Sequence, residues 1–181
     1  MTRRGWLLLS LTALAGCDQM RNEPVAELPP GLMRGAGDPA RWATETAAHA
    51  FLDRQLALRG NPGDAAFAAA MVENASTAFQ DGRYADGYWL TRLLREGRTA
   101  LRQSLGLEIT AVPQAVQDAL LAAAAAFRRG DRQAAGAALA PVAARGVNPA
   151  VAFEAVQTPQ QLRRALREAR VILNRGQFPA S

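Results

Sequence analysis

Ala75-Ser76-Thr77-Ala78-Phe79-Gln80-Asp81-Gly82 and Ala123-Ala124-Ala125-Ala126-Phe127-Arg128-Arg129-Gly130 lie 48 residues apart and read in one register: a small residue, then a ring, then a glycine. A further small residue stands five positions past each glycine, Gly87 and Ala135, and the segments that follow reach Gly97 and Gly146. Residues four apart share one face of a helix, so a small residue lets a second helix approach closely and the ring fills the crossing. The glycine frees the backbone for a tight turn. The pattern predicts two antiparallel hairpins, over 65–97 and 113–146, and through them an all-α fold.

The flanking sequence extends the same reading to about six helices. Asp38-Pro39 offers an N-cap followed by proline at the first helical position, opening a helix to about Leu58. Arg59-Gly60-Asn61-Pro62-Gly63 breaks it, and Asp64 is placed to cap the next helix, over 65–80. A third helix follows from Tyr84, with Leu90, Leu94, Leu101 and Leu105 at near-helical spacing and Gly97 as a site of interruption. The fourth ends at Arg128-Arg129-Gly130, and the fifth starts at Asp131 and is bent or shortened by Pro141. Thr158-Pro159 repeats the cap-then-proline signal and opens a last helix to about Asn174. This places the helical domain at 38–176, with a frayed end over 177–181.

Composition agrees with helices. Apolar residues make up 49% of the chain but aromatics only 6%, so alanine carries much of the core, and no stretch sustains Val/Ile/Thr alternation. All 21 basic residues are arginine, and the formal charge is +5. Acids are interleaved with the arginines, which reads as a solvated helix surface rather than the dense basic stripe of a nucleic-acid binder. No nucleic acid is expected as a partner.

The two hairpins resemble the tetratricopeptide type, whose pattern is small-x3-aromatic-x2-Gly-x4-small. Tyr84 matches a further aromatic position of that family, where the second copy has Arg132, and the 48-residue offset exceeds the family's period of about 34. The resemblance implies a short helical stack with a protein-binding groove; a plain helical bundle with similar turns is the alternative.

The first 17 residues carry an address. Arg3 and Arg4 precede a short apolar run, Trp6 to Leu14, too short to span a bilayer as a helix. It ends in Leu14-Ala15-Gly16-Cys17, which resembles the lipobox of bacterial lipoproteins. The resemblance implies a signal peptide over 1–16 and cleavage before Cys17. It further implies lipidation of that thiol by diacylglycerol with palmitate-type acyl chains, and a periplasm-facing body on a permanent anchor. Asp18 is similar to the inner-membrane retention signal of enterobacterial lipoproteins and tilts the expectation from outer to inner membrane. Residues 17–37 hold Pro24, Pro29, Pro30, Gly31, Gly35 and Gly37 and read as an extended, flexible tether.

Little in the chain suggests chemistry. Cys17 is the one cysteine and His49 the one histidine, so a nucleophilic triad, a zinc site or a haem motif is not available, and no cofactor is expected. His49 lies one turn after Glu45 and is placed to pair with it. Two surfaces are candidates for binding a partner: the rings Tyr84, Tyr88 and Trp89 at the start of the third helix, and the arginines Arg163, Arg164, Arg167 and Arg170 on the last. The expectation is a non-catalytic, membrane-anchored scaffold or assembly factor that holds another envelope protein. The alternative is a small stabilising subunit of an inner-membrane complex of the respiratory dehydrogenase type.

Overall fold

The computed structural model describes residues 23–33, 37–80, 84 and 87–175. Eight α-helices occur among them: α1 (Pro39–Ala48), α2 (Gln55–Leu58), α3 (Pro62–Ala78), α4 (Gly87–Leu105), α5 (Pro113–Arg128), α6 (Arg132–Leu139), α7 (Pro149–Ala152) and α8 (Gln160–Asn174). No strand is present among the described residues; the one β-type contact is an isolated antiparallel bridge between Leu107 and Ala143. The fold is all-α.

The helix starts show how far capping chemistry carries. Asp38 caps α1 as its position predicts, accepting from the Ala40 amide at 2.9 Å with Pro39 at the first turn. Its other oxygen accepts from the Tyr84 hydroxyl at 2.7 Å. Past Ala48 the helix widens into a π-turn, His49–Asp53, before the short α2. Asp64 does not cap α3. The helix begins earlier, at Pro62, and Asp64 sits in its first turn, 3.1 Å from Arg128. Pro141 shortens α6 as expected, the chain tightening into a 3-10 turn over Ala140–Val142. Thr158 turns inward to donate to the Phe51 carbonyl at 3.2 Å instead of capping α8. Asn148 caps α7, an element the sequence reading passed over.

Gly97 neither ends nor interrupts its helix. It lies in the middle of α4, where a Cβ would stand 3.0 Å from the Leu162 Cα and 3.2 Å from the Ala165 Cβ. Its role is close approach to α8. Gly130, by contrast, makes the turn its motif requires, at φ +75°.

At the centre is α3, with thirteen of its seventeen residues buried. Six of those thirteen are alanine, and α1, α4 and α5 all pack closely on the helix. The repeated motif supplies the crossings. Ala75, Phe79, Ala123, Phe127 and Ala135 are all in the core, and a Cβ at Gly87 would collide with the Phe79 carbonyl oxygen. In a linear repeat stack each hairpin touches only its neighbours. Here α8 packs back across both α4 and α1 and closes the body into a bundle.

Residues 23–33 lie on this bundle. Instead of standing off as a tether, they form an irregular strap against α3 and α5, in neither helix nor strand. The Ala26 amide donates to Thr77 Oγ1 at 3.0 Å and its carbonyl accepts from Asn74 Nδ2 at 2.5 Å. One residue on, the Glu27 amide donates to Gln114 Oε1 at 2.7 Å and its carbonyl accepts from Gln117 Nε2 at 2.5 Å. Side chains thus satisfy backbone groups that a sheet partner would otherwise meet. Ala26 is fully buried, and Leu28 and Leu32 pack against the core.

Candidate functional site

The strap leads into the most elaborate polar cluster of the molecule. On α4, Arg92, Arg95, Arg98 and Arg102 recur at intervals of three and four, which places them along one side of a helix. Arg102 is 1% exposed and forks onto Glu73 of α3, with Nε to Oε1 at 2.8 Å and Nη2 to Oε2 at 2.6 Å. Its remaining nitrogen, Nη1, donates to the carbonyls of Glu108, Ile109 and Ala111 in the loop after α4. Burial pushes the Glu73 carboxyl above its ordinary range, and the guanidinium groups of Arg102 and Arg98 pull it back. Two short charge-assisted bonds in parallel make this a strong, directional pair.

Arg98 extends the cluster to the strap. Its Nη2 donates to both oxygens of Glu23, at 2.8 and 3.0 Å, and its Nη1 to Ser76 Oγ at 3.1 Å. Arg95 stands 3.0 Å from the same Glu23 carboxylate and donates to Gln80 Oε1 at 2.9 Å. Gln80 in turn donates to the Glu23 carbonyl at 2.8 Å. Glu23 is therefore clamped by three side chains, Arg95 and Arg98 of α4 and Gln80 in the turn after α3.

Outside this clamp runs an open groove of about 880 Å³ along α4, lined by Glu23, Gln80, Tyr88, Arg95, Thr99 and Gln103 among others. Its charges are committed to one another, Arg92 to Glu96 at 3.3 Å and both Arg95 and Arg98 to Glu23, so the groove holds no convergent acid or base. Among the described residues no three His, Cys, Asp or Glu side chains gather as metal ligands. His49 is exposed and lies 3.5 Å from Asp53, while Glu45, its expected partner, turns to Arg170 at 3.4 Å.

The expected binding residues separate sharply. Tyr84 belongs to the core: it is 6% exposed, packs edge-on against Phe79 at 4.9 Å and bonds Asp38, so it presents no surface to a partner. Tyr88 and Trp89 are 76% and 46% exposed on the first turn of α4. Arg170 is also engaged internally, its fork closed on Asp53 at 3.0 and 2.9 Å, which fastens α8 to the π-turn after α1. Arg163, Arg164 and Arg167 remain on the outer surface of α8, bordering a shallow depression with Gln160 and Glu168. Cys17 and Asp18 lie outside the described residues.

Sequence reasoning missed Glu23, Glu73, Arg98 and Arg102. Two signals point to the last three, the helical spacing of the α4 arginines and a glutamate inside the apolar run from Ala65 to Ala75, and none points to Glu23. Compared with known proteins, the chain matches no family, no curated sequence and no solved structure. No helix among the described residues is long and apolar enough to cross a membrane.

Proposed function

We propose that the protein is a non-catalytic scaffold, held in a bacterial membrane through a lipid on Cys17 and facing the periplasm, that engages an acidic partner protein through α8. One observation carries the partner half. Arg163, Arg164 and Arg167 make no ion pair with any described residue, whereas Arg92, Arg95, Arg98, Arg102 and Arg170 are all matched to carboxylates. Uncompensated charge on a rigid helix steers and orients an oppositely charged surface. The anchor half is supported by the lipobox-like Leu14-Ala15-Gly16-Cys17 and the short apolar run before it.

Copurification after mild detergent extraction tests the reading. A stoichiometric acidic partner should be recovered with the native chain and lost, by at least tenfold, from an Arg163→Glu, Arg164→Glu, Arg167→Glu triple variant. Equal recovery from both would overturn the assignment of α8. A stoichiometric partner bearing haem or quinone would overturn the general scaffold in favour of a stabilising subunit of a respiratory-type complex, and Cys17→Ser should release the protein from membranes.

A further inference from the structure

We propose that the body lies against the bilayer, with the end of α4 that carries Tyr88 and Trp89 seated at the lipid–water interface. This rests on the lipid anchor at Cys17 proposed above, and its second support is the position at which the strap begins. From Cys17 to Glu23 the chain has six residues, which fully extended reach about 22 Å. At Glu23 the chain is already clamped by Arg95, Arg98 and Gln80. A compact domain of some 150 residues has a radius of gyration of about 15 Å and a diameter of about 40 Å. The tether is shorter than the body is wide, so only the part of the surface around Glu23 reaches the membrane. A leash free as far as residue 37 would span about 60 Å and leave every face accessible.

The surface around Glu23 has the chemistry of an interface. Tyr88 lines the same groove as Glu23, and Trp89 follows it in sequence. Tyrosine and tryptophan are the side chains that settle at headgroup level, their rings apolar and their polar atoms wet. Val25, two residues along the strap from Glu23, adds an aliphatic group at 47% exposure. Arg92, one turn after Tyr88 and Trp89, is paired only with the exposed Glu96, a contact of small worth that a lipid phosphate would readily replace. The occupant of this face is therefore the lipid headgroup layer.

Trp89 is its own reporter. With Trp6 removed alongside the signal segment, a Trp42→Phe variant of the lipidated protein leaves Trp89 as the only tryptophan. Reconstituted into phosphatidylethanolamine–phosphatidylglycerol vesicles whose acyl chains are brominated near the headgroup, it should show a blue-shifted emission and at least twofold quenching. The companion Trp89→Phe variant, which reports from Trp42, should show little. Equal quenching of the two in protein that floats with the vesicles and carries the acyl mass overturns the orientation and leaves the anchor standing. Absence of the acyl mass on Cys17 overturns the anchor, and the orientation with it.

Discussion

Arg92, Arg95, Arg98 and Arg102 on α4 and Arg163, Arg164, Arg167 and Arg170 on α8 are two runs of four arginines at helical spacing. They end in opposite environments. Arg98 and Arg102 are 7% and 1% exposed, while Arg164 and Arg167 stand in solvent. What separates them is the supply of carboxylates from elsewhere in the chain. Glu73 and Glu23 meet the α4 arginines from 29 and 75 residues away, and only Arg170 of α8 finds such partners, in Asp53 and Glu45. A run of arginines along a helix thus defines a stripe; distant acids decide whether the stripe becomes core or surface.

That contrast is most sharply broken at Glu73. Glu73→Ala leaves the Arg102 guanidinium buried without its counter-charge and should cost about 3–5 kcal/mol in urea unfolding. Replacing both members, Glu73→Leu with Arg102→Met, should restore much of that loss; an equally unstable double variant would show that the carbonyl contacts of Arg102, rather than its ion pair, dominate. A smaller effect is expected where the strap meets α3. Thr77→Val removes the acceptor of the buried Ala26 amide, which should cost about 1–2 kcal/mol and speed hydrogen exchange at that amide. On the exposed side the effects should be slight. Arg164→Gln should change stability by no more than about 0.5 kcal/mol.

The Arg170 clamp titrates in a defined direction. The Arg170 hydrogen bond, above all, holds the Asp53 carboxyl below its ordinary value of 3.8. The clamp's contribution is therefore present above pH 3.8 and lost as the pH falls through the lowered value. An Asp53→Asn variant should lose that part of the acid dependence in unfolding curves, and an unchanged profile would assign the dependence to other carboxylates.

The parts legible in the sequence were those written in adjacent residues. Asp38 caps α1 with its own side chain, Pro39 and Pro141 act through their backbone geometry, and the Phe127 motif closes a hairpin between consecutive helices. Their consequences are local, so reading along the chain finds them. Tyr84, the docking of residues 23–33 and the burial of Glu73 depend on which segments meet after folding. Three rings in six residues cannot all face outward, and which of them enters the core is settled by Asp38, 46 residues from Tyr84, which nothing nearby in sequence announces. The prolines and glycines of the strap correctly exclude a helix, but an irregular segment held by side-chain amides carries no periodic pattern of its own. The candidate site divided along the same line. Tyr88, Trp89, Arg163 and Arg167 are at the surface, as single-residue reasoning expects, whereas Arg170 was withdrawn by a partner 117 residues away.

The strap also sets an order of events. Its bonds reach to Thr77, Arg98 and Gln117, up to 90 residues downstream. Residues 23–33 precede all of these partners along the chain and have no place to dock until most of the bundle exists.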